Sequence, residues 1–148
     1  KIAFPDLQVT LVDSLNKRVQ FLSRVIETLS LGGVEALHAR AEELARNKIY
    51  RENFDIVVSR AVANLSTLSE YCMPFVKEGG FFISYKSAAV EDEVKQAKKA
   101  IEILGGEIAD VYKFDLGEQK RSFIVIHKKK KTPKTYPRKA GTPSKEPL

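Results

Sequence analysis

The chain has 148 residues, 43% of them hydrophobic, one cysteine and a formal net charge of +6. That length and apolar fraction suit one core in one domain, and the lone Cys72 excludes an internal disulfide framework and fits a reducing compartment. No apolar run is long enough to cross a bilayer and Lys1–Pro5 is not a signal peptide, so the expectation is a soluble, cytoplasmic monomer that does not engage membranes.

Val9–Val12 is an apolar strand that ends abruptly at Asp13 and Ser14. In doubly wound α/β proteins an acid at this point hydrogen-bonds the ribose hydroxyls of a nucleoside, and ligands sit beyond the carboxyl ends of the strands. Either residue could equally cap the following helix. Leu15, Val19, Leu22, Ile26 and Leu29 form one apolar stripe on that helix, which Gly32 and Gly33 stop. A short strand over Val34–His38 leads through Ala39–Leu44 into a helical turn. Asp55–Ser59 is a continuous apolar run of the kind buried on both faces of a parallel sheet, and Arg60 lies just past its end.

Leu65–Met73 predicts a helix closed by Pro74, and the Gly79-Gly80 pair is expected to turn the chain into a strand over Phe81–Tyr85. Val90–Leu104 is a charged helix that Gly105 and Gly106 end. Glu107–Leu116 and Ser122–Ile126 are strands whose connection through Gly117 is too short for a helical crossover, so they must be antiparallel. The order predicts an α/β fold with a closing hairpin.

Charge divides the chain into a body, residues 1–127, and a tail, residues 128–148. The tail carries a net +7 and four of the six prolines, while the body sums to −1. A basic, proline-punctuated arm holding Tyr136, Arg138 and Lys139 suggests a phosphate-rich partner; a merely solubilising tail is the alternative.

Leu11–Arg18, Arg40–Glu42, Asp55–Ala63 and the ending Lys131–Pro143 occur in an order that resembles one family, the bacterial 16S ribosomal RNA guanine-N7 methyltransferases, RsmG or glucose-inhibited division protein B. The resemblance runs over nearly the whole chain. It implies a Rossmann-like methyltransferase sheet of seven strands with a C-terminal antiparallel hairpin, S-adenosyl-L-methionine as methyl donor, and 16S rRNA or the small ribosomal subunit as partner. Asp13, with Ser14 beside it, would bind the cofactor ribose; Ala41 and Glu42 would border the adenine; Arg60 would face the methionine end or the target. Lys17, Arg18, Lys86, Arg121, Arg138 and Lys139 are candidates for RNA contact.

Two departures stand out. The family's glycine-rich segment Gly-x-Gly-x-Gly-Phe-Pro-Gly is absent, along with the strand before it, and Lys86 precedes Ser87 where the family has glycine. The absent strand belongs at the centre of the sheet, between those ending at Asp13 and Ser59, so a gap with unpaired backbone is expected there and residues 1–148 alone are not expected to be a stable, active enzyme.

Guanine N7 presents a lone pair and no proton, so its methylation needs in-line positioning rather than a general base. The absence of a Ser/His/Asp set or metal-ligand spacing fits that chemistry, and no catalytic residue or metal is assigned. His38, His127 and Cys72 have structural roles on this reading. A nicotinamide-dependent oxidoreductase would use Asp13 in the same way but end on a parallel strand. A non-catalytic RNA-binding or ribosome-assembly module is the third reading.

Overall fold

Alternating strands and helices fill the computed structural model, which describes residues 1–60, 63–87 and 89–148. Ala61 and Val62 of the Asp55–Ala63 motif fall outside the described residues. Strand β1 (Val9–Asp13) leads into helix α1 (Asn16–Thr28), β2 (Val34–His38) into the one-turn helix α2 (Ala41–Leu44), and β3 (Phe54–Ser59) into α3 (Leu65–Cys72). A 3-10 turn at Met73–Phe75 opens onto β4 (Val76–Ser87), followed by α4 (Glu91–Ile103), β5 (Gly106–Leu116), β6 (Gln119–Lys128) and the short α5 (Thr142–Lys145).

The described strands form two sheets. β1 and β2 pair in parallel, and the larger sheet has the order β3-β4-β6-β5. Within it β3 and β4 are parallel, whereas β6 is antiparallel to both its neighbours. The two-residue connection at Gly117 and Glu118 forces that reversal, and β6 inserts between β4 and β5 as the reversed strand of the methyltransferase arrangement does. No ladder joins β1 to β3, so the gap expected from the sequence falls between them. Contrary to the expectation of burial on both faces, one face of β3 is open, with Ile56 56% and Val58 55% exposed, and Val12 of β1 is 40% exposed.

The core lies on the helix-covered face of the larger sheet. Phe82, Ile124 and Ile126 point to that side and meet Leu65 and Leu68 of α3 and Ala97 and Ile101 of α4. Each of the leucine, isoleucine and phenylalanine side chains, fully buried, contributes roughly 1.5–3 kcal/mol. Asn64 starts α3 as its N-cap, accepting a hydrogen bond from the Thr67 amide at 2.8 Å.

Two further details depart from expectation. Gly79 and Gly80 do not separate a turn from a strand; β4 already begins at Val76, and the glycines lie within it where its register against β3 shifts. Gly79 has φ +81°, and a Cβ on Gly80 would come within 2.5 Å of the Asp55 carbonyl oxygen, so the bulge needs both.

The expected free arm is the second. β6 continues through Lys128, which is fully buried, and the chain after it packs against the body instead of leaving as an arm. Gly105, at φ +89°, accepts from the Lys129 and Lys130 amides and leaves no room for a Cβ beside the Lys130 carbonyl. Lys128 Nζ donates to the Met73 carbonyl at 2.7 Å and to the Thr132 hydroxyl, and lies 3.6 Å from Glu52. Thr132 in turn donates its amide to Glu52 at 2.7 Å and its hydroxyl to the Leu104 carbonyl at 2.8 Å.

Burial lowers the Lys128 pKa to about 8 despite Glu52. Between about pH 8 and the ordinary lysine value the unfolded chain holds a proton that the folded one has lost, so stability rises with pH across that window. Urea unfolding of a full-length protein carrying this chain is expected to show that rise, on the order of 3 kcal/mol in total, and Lys128→Met is expected to abolish it. For residues 1–148 alone, the open edges of β1 and β3 predict a broad thermal transition by circular dichroism; a sharp two-state melt would contradict this.

Candidate functional site

Parallel strands present their carboxyl ends to one edge of a sheet; Asp13 and Ser14 lie at that edge of the smaller sheet, and Arg60, Lys86 and Arg121 at that of the larger. In the smaller sheet Asp13 ends β1 directly beside His38 at the end of β2. Asp13 Oδ1 accepts the Leu15 amide at 2.8 Å, and Oδ2 accepts weakly from Arg18 at 3.3 Å. The Leu15 hydrogen bond, reinforced by Arg18 and His38, holds the Asp13 carboxyl below the usual aspartate range, so it is ionised at neutral pH. His38 Nε2 sits 3.1 Å from the exposed Ser14's carbonyl oxygen and fixes the same turn.

The turn-stabilising role of Asp13 is therefore real. It leaves lone pairs unused, since a carboxylate can accept about four hydrogen bonds and only two are present among the described residues. A charged acceptor with spare capacity at a strand end fits a ribose diol. The described residues contain no glycine-rich turn to hold a methionine moiety beside it.

After β2, Arg40 and α2 follow. Glu42 is 4% exposed; its Oε1 accepts the Gly141 amide at 2.9 Å and lies 3.4 Å from Arg40. Its side chain is thus committed to the C-terminal segment, leaving Ala41 and the backbone of the turn as the part available to a ligand.

In the larger sheet Arg60, Ala63, Asn64, Tyr85, Lys86 and Arg121 line an open cleft of about 450 Å³ at the carboxyl ends of β3 and β4. Arg60 is exposed; Asp55 pairs with Lys77 and Glu42 with Arg40, so neither acid neutralises it. Arg121 enters because β6 starts where β4 ends, with Arg121 opposite Ser87.

Lys86 takes internal partners. It donates to the Ala63 carbonyl at 2.7 Å and to Glu93 at 2.6 Å and is only 10% exposed, so it clamps the segment after β3 to α4. Arg138 likewise turns inward, its guanidinium forming a forked pair with Glu70 at 2.7–3.1 Å. Those bonds raise the Arg138 pKa. Lys17, Arg18 and Lys139 are exposed. Sequence reasoning missed Tyr85, Glu93 and Glu70; the first completes the cleft, and the acids complete two cations whose roles looked external. Nothing in the local spacing marks them, because each meets its partner through tertiary packing.

Among the described residues no group of three or more His, Cys, Asp or Glu could hold a metal, and no helix is long and apolar enough to cross a membrane. Cys72 packs partly buried against the core, where desolvation pushes its thiol up to about 12, beyond use as a nucleophile at neutral pH.

A family model described as rRNA small subunit methyltransferase G matches residues 1–124. The protein named ribosomal RNA small subunit methyltransferase G from Oceanobacillus iheyensis is 51% identical over all of this chain and 63% of its own length; its namesake from Lachnoclostridium phytofermentans is 53% identical over 62% of its length. The chain thus spans a little over three-fifths of the curated relatives it matches. Among solved structures, NSun6 from Pyrococcus horikoshii with SFG overlays at a TM-score of 0.66, 11% identity, 85% of this chain and 42% of that one. M. jannaschii TYW2 in complex with AdoMet overlays at 0.61, 13% identity, 80% of this chain and 57% of that one. These likenesses establish the fold.

The clamp makes a distinct prediction. Lys86→Met, which keeps the stem but removes the donor, leaves Glu93 without its partner and frees the segment after β3. A loss of about 1–3 kcal/mol is expected in urea unfolding of a full-length protein, with faster amide exchange at residues 63–64.

Proposed function

Since the chain belongs to the rRNA small subunit methyltransferase G family, we propose that it forms the greater part of an enzyme that transfers a methyl group from S-adenosyl-L-methionine to N7 of a guanosine in 16S rRNA. It works on this reading as a cytoplasmic monomer, with free rRNA or the small subunit as substrate. The observation that carries the reading is the ionised Asp13 carboxylate at the strand end, with acceptor capacity to spare and a family match around it. The antiparallel β6 between β4 and β5 argues against a nicotinamide-dependent oxidoreductase.

Each residue has a part that its surroundings support. Asp13 accepts from the ribose hydroxyls, Ser14 lies beside it, and the Ala41–Glu42 turn borders the adenine. The bound cofactor supplies an activated methyl group on a sulfonium. Arg60, exposed in the cleft, orients the acceptor base, and Tyr85 at the cleft wall offers a ring against which an unstacked base can rest. No group needs to remove a proton from N7, in keeping with a cleft whose one carboxylate, Glu93, is held by Lys86.

The RNA backbone is met by Lys17, Arg18, Arg121 and Lys139, with the exposed Lys130, Lys131, Lys134 and Lys145 adding long-range attraction. Lys86 and Arg138 act on RNA only indirectly, by holding the elements that do.

Asp13→Asn is the sharpest test because an amide oxygen can still accept the Leu15 amide while the charge is lost. In a full-length protein, S-adenosylhomocysteine affinity measured by titration calorimetry is expected to fall by about 1.5–3 kcal/mol, with the helical signal unchanged. Equal affinity would return Asp13 to turn stabilisation alone.

A further inference from the structure

We propose that residues 136–148 are a strap that sets the position of the cofactor-bordering turn, so that the C-terminal segment governs cofactor affinity as well as meeting RNA. The inference rests on the methyltransferase reading above and assigns positioning roles to Arg138, Gly141, Arg46 and Arg51.

The physical reason begins with α2. A helix of four residues has no stability of its own and sits where tertiary contacts put it. Here α2 packs against α3, and the C-terminal segment adds hydrogen bonds to it and to the residues just after it. The Gly141 amide donates to Glu42 Oε1 at 2.9 Å, and Arg46 donates to the Pro137 carbonyl at 2.7 Å. Arg51 Nη1 donates to the Ala45 carbonyl at 3.2 Å and to the Tyr136 carbonyl at 2.9 Å, bridging α2 and the strap through one nitrogen.

The same stretch is also fixed to α3, its ties alternating with those to the α2 side. Glu70 is fully buried, and Arg138 meets it with its backbone amide at 2.7 Å as well as with both arms of the guanidinium fork. Thr67 donates its hydroxyl to the Pro143 carbonyl at 2.9 Å, and Pro143 is itself buried. α2 follows β2 of the small sheet, and α3 follows β3 of the large one. With no ladder between β1 and β3, residues 136–148 supply polar ties across that divide.

Glu42 is the link. Its buried carboxylate has two donors among the described residues, and the shorter bond is the one from the strap. Removing that donor leaves a buried charge short of a partner, which the turn relieves by moving toward water. The adenine border then moves with it.

Coupling of this kind is reciprocal, so cofactor binding must also steady the strap. The test uses a full-length protein in three forms: unmodified, ended after Thr135, and carrying Arg138→Lys, which retains a cation for Glu70 but loses the fork. S-adenosylhomocysteine affinity is measured by calorimetry and amide exchange by mass spectrometry. Truncation is expected to weaken binding about tenfold or more and Arg138→Lys a few-fold, with faster exchange at residues 41–45. Ligand is expected to slow exchange at the Arg138 and Gly141 amides of the unmodified protein, which a purely structural tail would not show. Arg138→Lys and the ligand-induced protection decide the matter if the truncated form does not fold. Affinities within twofold of each other, or a truncation that lowers RNA affinity alone, overturn the strap. An unmodified protein that binds no S-adenosylhomocysteine overturns the methyltransferase reading and the strap with it.

Discussion

Glu42 and Glu70 are carboxylates with 4% and 0% exposure, and an ionised group cannot remain in an interior without donors. Both are satisfied mainly from the last dozen residues, by the Gly141 amide and by the Arg138 backbone and fork. Lys128, at the end of β6, poses the opposite demand and meets it with carbonyl, hydroxyl and carboxylate oxygens. This need for charge compensation explains why a segment with so many prolines and lysines lies against the body. Tyr136 and Leu148 also pack against the core and Pro143 is buried, so apolar contacts and polar ties together hold it in place.

The candidate site follows from the same economy of placement. Parallel strands bring Asp13, His38, Arg60 and Lys86 to the carboxyl edges of their sheets, and the reversed β6 delivers Arg121 to the same edge as Lys86. Charges at that edge then divide by partner. Lys86 and Arg138 face acids and build structure, while Arg60 lines an open cleft. The fold persists in proteins only 11–13% identical to this chain, as expected where strand order and burial pattern, not particular side chains, define the architecture.

Much of this was legible in the residues. The acid after Val9–Val12, the apolar run ending at Ser59 and the short link through Gly117 determine strand direction and the edge on which ligands gather, because backbone geometry leaves few alternatives. The Gly79-Gly80 pair misled, since glycine serves a bulge inside a strand as readily as a turn before one. The fate of the tail was hidden for a deeper reason. Glu70 and Arg138 are 68 positions apart, and Glu42 and Gly141 are 99 apart, so no local period or spacing encodes their meeting. A basic run carries the same local signature whether it is solvated or docked.

The unladdered margin of β3 has a bearing on how such a chain behaves at concentration. Ile56 and Val58 alternate with Val57 along a β-branched strand whose outer amides and carbonyls have no strand neighbour among the described residues. That is a template for a second molecule's β-segment, and pairing of this sort grows with every collision. Self-association through β3 would therefore compete with correct sheet completion whenever this margin is uncovered, making dilution, or prompt covering during synthesis, a condition of recovery in native form.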